Sequence, residues 1–250
     1  MDIDADIRIG YYYRGKGGDI LNLKNLYKYA ASDFMGYSRP NSYELVGKKI
    51  DLTFDSGRKT TLTLKRSPAL TVTLSDGLND QAAECLKIGG GIFLVNFAIV
   101  PWGATYILDY ANGLVTHIVV GGDEPMADYG YIDEFGAKTE RHALSDDLDG
   151  NTIDWTFSPS ITARVKYSGG AANIAIPNMP PVSIPGFKAV RIANGIYFQF
   201  GQVSFGPAKV GLFLASDFTT LLFDGDLFGV PGLPALGTVG GWGKIITYEG

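Results

Sequence analysis

The sequence predicts an all-β protein made of two tandem antiparallel β-barrels with one N-terminal helix. Three observations support this prediction: an internal repeat, short strands joined by glycine-containing turns, and a globular composition. Of the 250 residues, 46% are hydrophobic and 19% are charged, and the 33 glycines fall mostly between short apolar segments. A chain of this length can bury a sizeable core, and its glycine distribution is typical of strands connected by tight turns.

The internal repeat aligns residues 45–54 with residues 148–157 at an offset of 103. Residues 91–93 align with residues 195–197 at an offset of 104, and Asp109 in the first copy matches Asp217 in the second. Chance does not supply three such matches in the same order at nearly one offset. We therefore infer a duplication of one structural unit.

Each copy is predicted to form about six short strands, and short strands need closure into a barrel to remove their exposed edges. Apolar residues alternate with threonine over 60–64 and 71–74, the pattern of a strand with one buried face. Glycine turns at Gly57 and Gly113 would join antiparallel neighbours. The predicted strands cover residues 50–54, 60–64, 70–74, 92–100, 104–110 and 114–120, then 155–157, 162–167, 173–176, 196–200, 210–214 and 221–223.

The repeat sets the predicted domain boundaries. Residues 1–40 hold a strand over 7–13 and a helix over 19–32, the first barrel repeat covers 41–122, an acidic linker covers 123–144, the second repeat covers 145–229, and a Pro/Gly-rich segment with a last strand covers 230–250. Asp19 is the predicted N-cap of the helix. An apolar helix face is expected to pack across a barrel end or between the barrels: Ile20, Leu23, Tyr27, Ala30 and Phe34.

Charge and cysteine content exclude several classes of function. The net charge is −5 and the pI is about 5.0, without a basic stripe, so we expect no nucleic-acid partner. No apolar stretch reaches the roughly 18 residues of a membrane span, and the acidic start of the chain is unlike a signal peptide. Cys85 is the one cysteine, so a cytoplasmic setting is expected. We predict no cofactor and no metal, since His142 has no ligand partners at usable spacing.

Turn and core residues form a recurring pattern over about 80 residues of each copy. In the first copy it comprises Leu45-x-Gly47, residues 53–57, residues 91–93, Asn96-Phe97, Leu108-Asp109 and Val115-Thr116. This pattern resembles MoaF-like proteins and the related phenolic acid decarboxylases. The resemblance implies a calycin-like (lipocalin-like) barrel with its ligand inside.

The chain departs from the decarboxylases at the residues that carry their chemistry. The resemblance implies a Tyr-x-Tyr pair on the first strand, together with an arginine and a glutamate. The matching positions here are Leu52 and Phe54 in the first copy, and Trp155 and Phe157 in the second. None has a hydroxyl group, and the sequence offers no obvious interior arginine. This departure argues against that decarboxylation reaction.

Three strand residues and one glutamate are the candidate catalytic groups. His117 lies mid-strand; if its face points inward, apolar surroundings would move its pKa and suit it to proton transfer, whereas the other register leaves it outside. Tyr106 and Tyr110 share one strand face, where they would either line a pocket or simply pack. Glu84 would complete an acid/base set if it lay near them, and a surface position is the alternative.

Apolar side chains of the same strands are the candidate substrate-binding residues. They are Leu52, Phe54, Phe93, Trp102 and Trp155. Asp109 and Asp217 are instead predicted to accept hydrogen bonds from turn amides, because their recurrence in both copies points to the fold.

The predicted function is a cofactor-independent enzyme of small-molecule metabolism, an isomerase, cyclase or lyase, acting on a hydrophobic or aromatic substrate inside a barrel. The alternative is a non-catalytic, lipocalin-like carrier or sensor of a lipophilic ligand. A third reading is that side chains fill both barrels and the protein works by surface association. The first barrel is the expected pocket because the second has the bulkier aromatic set. The sequence leaves the oligomeric state open, a homodimer included.

Overall fold

The computed structural model describes residues 36–99, 102–205, 208–229 and 237–246. These residues form eighteen β-strands and one 3-10 helix, Asp133–Phe135. Within these ranges no helix is long and apolar enough to cross a membrane. The predicted helix over 19–32 and the predicted strand over 7–13 lie outside the described residues.

Eight antiparallel strands close the first barrel. They are β1 (Lys49–Phe54), β2 (Lys59–Arg66), β3 (Leu70–Leu74), β4 (Leu78–Gly89), β5 (Ile92–Ile99), β6 (Trp102–Asp109), β7 (Leu114–Val120) and β8 (Met126–Ile132). Closure comes from β1, which pairs with β2 on one side and with β8 on the other. The six strands predicted in this copy are confirmed, while β4 and β8 were not predicted.

The second copy forms a curled ten-stranded sheet. Its strands are β9 (Ala143–Leu144), β10 (Thr152–Ser158), β11 (Ile161–Ser168), β12 (Ala171–Ala175), β13 (Val182–Pro185), β14 (Lys188–Ala193), β15 (Ile196–Phe205), β16 (Ala208–Asp217), β17 (Leu222–Phe228) and β18 (Gly237–Ile246). The order is β13-β12-β11-β10-β18-β17-β16-β15-β14-β9. The prediction of a second closed barrel is therefore corrected.

The second copy stays open where the strand equivalent to β4 is interrupted. That strand is divided into β13, which pairs with β12, and β14, which pairs with β15. Pro185 ends β13 and has no N–H to donate, and Gly186 follows with φ of 66°. Proline removes a ladder hydrogen bond and a left-handed glycine turns the chain, so pairing does not continue across this point.

Two strands outside the predicted repeat belong to it. A Cβ atom on Gly130 of β8 would lie 2.2 Å from the carbonyl oxygen of Thr53, and one on Gly241 of β18 would lie 1.9 Å from that of Thr156. Thr53 and Thr156 are repeat equivalents, so β8 and β18 are equivalent as well. Each copy therefore contributes eight strand positions, where the sequence predicted six or more.

Two predicted boundaries are corrected by this equivalence. The linker assigned to 123–144 contains Met126–Ile132, which closes the first barrel. The last strand of the C-terminal segment is Gly237–Ile246, and it lies between β10 and β17, inside the second sheet. Both segments are polar or glycine-rich, and this composition hid their strand character from the sequence analysis.

Side chains fill the middle of the first barrel. Five of its inward-facing residues have no accessible surface: Leu62, Leu64, Val72, Val95 and Val115. A void large enough for water would leave part of its lining accessible, so the barrel centre is packed. Any ligand of this barrel must therefore bind at an end of it.

Candidate functional site

The candidate site is the end of the first barrel where β1 ends and β2 begins, here called the mouth. The turn over residues 55–58 lies at this end. The second half of β7 and the start of β8 lie there too, since His117 of β7 pairs with Asp128 of β8. Inward-facing residues at this end include the predicted residues Phe54, Tyr106 and His117. The inward orientation of Phe54 and Leu52 agrees with the register predicted from sequence.

Arg58 is a candidate site residue that was not predicted from the sequence. Its Nη2 donates a hydrogen bond to Tyr106 Oη at 2.7 Å, and its guanidinium carbon lies 4.4 Å from the ring centroid of Phe54. Its Nε lies 3.6 Å from Asp76 Oδ2, which is an ion pair but too long for a hydrogen bond. The buried Nε has no hydrogen-bond partner. The expectation that no interior arginine is present is therefore corrected.

A sequence signal for Arg58 did exist. Thr60, Leu62 and Leu64 are the inward-facing residues of β2, and Arg58 stands one further step of two residues before them. Because side chains alternate along a strand, the same period carries Arg58 to the inner face at the strand's start. The preceding glycine turn concealed this, since the turn was taken as the end of the pattern.

His117 points inward and stacks on Tyr106. Their ring centroids are 4.4 Å apart with an interplanar angle of 22°, and Phe54 contacts both rings edge-on. Part of the His117 side chain reaches solvent, but burial of the ring, with a smaller contribution from the charge of Arg58, lowers its pKa to about 3. The imidazole is therefore neutral near pH 7, able to donate one hydrogen bond and accept another.

Tyr106 is held as a neutral phenol. Burial raises its pKa well above the ordinary value, more than the charge of Arg58 lowers it. The phenol oxygen accepts the hydrogen bond from Arg58. Tyr106 and His117 thus offer hydrogen bonds near neutral pH without changing their protonation.

Two carboxylates lie at this end of the barrel: Asp76 is ion-paired with Arg58, and Asp128 is level with His117. Asp76 Oδ1 accepts a hydrogen bond from Thr60 Oγ1 at 2.8 Å, and Asp128 Oδ2 accepts one from Ser56 Oγ at 2.6 Å. Together with Arg58 they leave this cluster with one positive and two negative charges. An additional anion would meet repulsion here, whereas an uncharged acceptor would not.

The second copy provides an internal comparison for this polar cluster. Pairing aligns the copies, because Ile92 lies opposite Asp109 in the first and Ile196 opposite Asp217 in the second. Continuing this alignment from strand to strand through the pairing registers gives the equivalent of each polar residue. The second copy has Ile161 in place of Arg58, Ile176 in place of Asp76, Leu214 in place of Tyr106, Gly225 in place of His117 and Val239 in place of Asp128. All five polar groups are replaced by apolar residues or glycine, so the fold itself does not require them.

Tyr110 and Phe93 lie at the opposite end of the first barrel. Their rings are 5.8 Å apart, and the ring of Phe135 in the 3-10 helix lies 5.7 Å from Tyr110. Burial raises the pKa of Tyr110 to about 12. The structure therefore does not bring Tyr110 together with His117, although both face inward.

Glu84 lies away from the mouth and faces outward. Its carboxylate accepts a hydrogen bond from Thr238 Oγ1 of the second copy, and it lies beside Asp226. The predicted acid/base set of Glu84 with His117 is thus corrected. The neighbours of Glu84 in β4, Ala83 and Cys85, occupy the inward face instead.

Trp155 is a packing residue of the second copy. Its Nε1 donates to Tyr167 Oη at 3.0 Å, and Tyr167 Oη donates to Gln199 Oε1 at 2.7 Å.

Leu52 is buried in the packed centre of the first barrel. Of the predicted substrate-binding residues, Phe54 and Trp102 are therefore the two at the mouth.

The recurring aspartates serve the turns, as predicted. Asp109 Oδ1 accepts hydrogen bonds from the amides of Ala111 and Asn112. Asp217 Oδ1 likewise accepts hydrogen bonds from the amides of Thr219 and Thr220 in its own turn. His142 also contacts Asp109, at 3.4 Å, and its Nδ1 lies 2.8 Å from Thr116 Oγ1. Thr116 has no accessible surface, so this threonine, histidine and aspartate hold the segment after β8 rather than meet a substrate.

No family model matches the chain, and no curated protein matches its sequence. The resemblance to MoaF-like proteins and phenolic acid decarboxylases therefore stays a prediction. Across the ranges that the structure describes, no three His, Cys, Asp or Glu side chains are grouped as a metal site requires.

Proposed function

We propose that this protein binds one small, largely apolar molecule at the mouth of the first barrel and recognises it through a carbonyl oxygen. The observation that carries this proposal is the cluster of Arg58, Tyr106 and His117, which has only apolar residues or glycine at the equivalent positions of the second copy. Polar groups that a duplicated fold does not need are best explained by a ligand that one copy binds.

Arg58 supplies the reason for a carbonyl group. Its buried Nε is an unpaired donor, and leaving such a donor unpaired costs about 1–3 kcal/mol. A ligand oxygen would remove that cost, and neutral His117 can add a second hydrogen bond. The two carboxylates beside Arg58 disfavour a negatively charged ligand, so an uncharged carbonyl is preferred over a carboxylate.

Aromatic and aliphatic side chains supply the rest of the binding surface. Phe54 and Phe97 are buried next to the ring of Tyr106, and Val119 lies partly exposed beyond His117. This favours a hydrophobic or aromatic molecule, in agreement with the partner predicted from sequence. Because the barrel centre is packed, the molecule would lie at the mouth rather than deep inside.

A carrier or sensor is the function we favour over an enzyme. Efficient acid/base groups have pKa values near the working pH, whereas those of His117 and Tyr106 are both displaced away from neutrality. A cofactor-independent isomerase, cyclase or lyase is the second candidate. It is favoured by the grouping of Arg58, Tyr106 and His117, since each of these side chains carries a proton that can form a hydrogen bond with a substrate. The buried, single Cys85 supports a reducing, cytoplasmic setting for either function.

The test compares three probes of similar size: acetophenone, benzoate and ethylbenzene. Calorimetric titration should show the tightest binding for acetophenone, since ethylbenzene lacks the acceptor and benzoate carries a charge. Arg58→Met should weaken acetophenone binding by roughly tenfold or more, the loss of one hydrogen bond to a charged donor. Arg164→Met is the matched control, because Arg164 also pairs with an aspartate but lies on the second copy.

Equal binding of acetophenone and ethylbenzene, or equal affinity of Arg58→Met and wild type, would contradict the proposal. Mass spectrometry of the recovered probe separates the two candidate functions. An unchanged ketone supports a carrier or sensor, and a converted one supports the enzyme.

A further inference from the structure

Three large apolar side chains stand exposed around the mouth of the first barrel. Ile99, Trp102 and Met126 have 46%, 39% and 59% of their surface accessible. We call these three residues the apolar collar. Other large hydrophobic side chains of the described residues are exposed as well, but these three all lie at the end of the barrel that carries Arg58.

The strand register places the collar residues on two adjacent strand pairs, β5–β6 and β7–β8. Ile99 of β5 lies opposite Trp102 of β6, and Val119 of β7 lies opposite Met126 of β8. Each collar residue is two positions beyond an inward-facing residue of its own strand, so all three continue the inner face of the barrel outward. The indole of Trp102 lies against Gly122 in the turn between β7 and β8, where a Cβ atom would collide with it.

The second copy again lacks the feature. Its equivalents of Ile99, Trp102 and Met126 are Val203, Val210 and Gly237, by the same strand pairing. These residues are smaller, and each is buried or partly buried. The collar and the polar cluster thus occur in the same copy and at the same end.

We propose that the ligand is elongated: its carbonyl end lies at Arg58 and a flexible apolar chain extends outward over the collar. This inference rests on the function proposed above and names the class of molecule, a ketone or similar carbonyl compound with an alkyl chain. His117 is level with Asp128, and Met126 is two residues further out, which corresponds to about 7 Å. A chain of roughly five carbons covers that distance. Contiguous exposed apolar surface of this kind marks a binding surface.

The experiment measures affinity along a series of 4-alkylacetophenones, from acetophenone to 4-hexylacetophenone. Each methylene that the collar covers should raise the affinity about fourfold, the fold-change that corresponds to ~0.8 kcal/mol. The gain should level off after about two or three carbons, because the phenyl ring of the probe already spans part of the roughly 7 Å between His117 and Met126. Trp102 fluorescence should change with the longer members of the series, because the chain then contacts the indole.

Met126→Ser and Ile99→Ser test the collar directly. Both side chains are exposed, so the variants should fold, retain wild-type affinity for acetophenone and lose most of the gain per methylene. Leu144→Ser is the matched control, since Leu144 is equally exposed but lies in β9 of the second copy.

The outcomes distinguish this inference from the proposed function. If acetophenone binds through Arg58 but affinity does not grow with chain length, the collar inference is overturned and the carbonyl site stands. If affinity grows equally in wild type, Met126→Ser and Ile99→Ser, the chain lies elsewhere and the inference is again overturned. If neither acetophenone nor its longer homologues bind, the proposed function and the inference fail together.

Discussion

At the scale of single residues, Asp226 is a fully buried carboxyl group at the contact between the two copies. It has no accessible surface, and it lies between the two copies beside Glu84, with Asn96 Nδ2 donating a hydrogen bond to it. Burial first, and the negative charge of Glu84 second, raise its pKa well above the ordinary value. Asp224, two residues earlier, has its pKa raised to about 6 by burial, against the opposing charge of Arg39.

These two aspartates predict that the protein becomes less stable as pH rises. A carboxyl group with a raised pKa keeps its proton in the folded state over a range where the unfolded chain releases it. The folded state then binds more protons, so the free energy of unfolding falls with rising pH, by at most about 1.4 kcal/mol per pH unit for one group. Asp224 contributes between about pH 4 and 6, and Asp226 contributes from about pH 4 upward, until the pH reaches its own raised pKa.

Asp226→Asn should reduce the loss of stability as pH rises above about 4 and raise the free energy of unfolding at pH 7, because asparagine carries no proton to release. Asparagine resembles the protonated carboxyl and can still accept the hydrogen bond from Asn96. Urea unfolding at several pH values measures this effect. Asp51→Asn is the control, because Asp51 is exposed on β1. An Asp226→Asn profile parallel to that of wild type would show that Asp226 does not hold a proton in the folded state.

At the scale of elements, β8 and β18 depend on a glycine that lets a neighbouring strand approach. Gly130 faces the carbonyl oxygen of Thr53, and its counterpart Gly241 faces that of Thr156. In the first barrel this approach is part of closure, since β8 is the strand that joins β1. A side chain at either glycine would push the two backbones apart.

Gly130→Ala should therefore destabilise the first barrel by about 3 kcal/mol or more, because the new Cβ would lie 2.2 Å from a backbone oxygen that cannot move away alone. Thermal unfolding followed by circular dichroism measures the loss, and failure to fold would be its extreme form. Tyr131→Phe on the same strand adds no Cβ and should unfold near the wild-type temperature. Wild-type stability of Gly130→Ala would mean that β8 and β1 are further apart than described.

At the scale of the whole molecule, the two copies pack through the outer faces of their sheets. The first copy contributes residues of β4–β7 such as Leu94, Ile107 and Ile118, and the second contributes Phe198 and Phe213 from β15 and β16. Such strands are buried on both faces, one toward their own core and one toward the partner copy. The two copies are therefore expected to unfold as one cooperative unit.

Phe213→Ala tests this expectation. Phe213 is fully buried at the contact, with its ring 5.8 Å from Phe198 and 5.2 Å from Phe228. Truncation of a buried phenylalanine costs about 3–5 kcal/mol. Calorimetry should show a single transition at lower temperature, whereas the control Leu144→Ala, an exposed residue, should change little. Two separated transitions in Phe213→Ala would show that the copies are stable independently.

Local pattern was sufficient for most strands and for the duplication. Alternation over 60–64 and glycine turns at Gly57 and Gly113 are properties of neighbouring residues, so they can be read without the fold. Of the first barrel's strands, β4 and β8 were not predicted, and both are polar or irregular in sequence. They form because paired neighbours supply hydrogen bonds on both sides, and no local pattern reports that.

The inward face of Phe54 follows from the sequence. The sequence left the face of His117 open, and it left Tyr106 either lining a pocket or simply packing; the structure places both side chains on the inner face. Two further features do not follow from the sequence. One is the grouping of these residues with Arg58, and the other is the position of Tyr110 at the opposite end of the barrel from His117. That grouping depends on the register between strands that are 48 residues apart for Arg58 and Tyr106. Register is decided by the pairing of whole strands around the closed barrel.

The sequence by itself determined the strand class, from patterns a few residues long, and the duplicated unit, from matches at a nearly constant offset. Only the tertiary structure decided that the first copy closes while the second stays open, that Glu84 faces the contact between copies, and that Arg58 meets Tyr106 and the apolar collar at one mouth. These features arise from contacts between residues distant in the chain, and the free energy of such contacts depends on geometry that no local pattern contains.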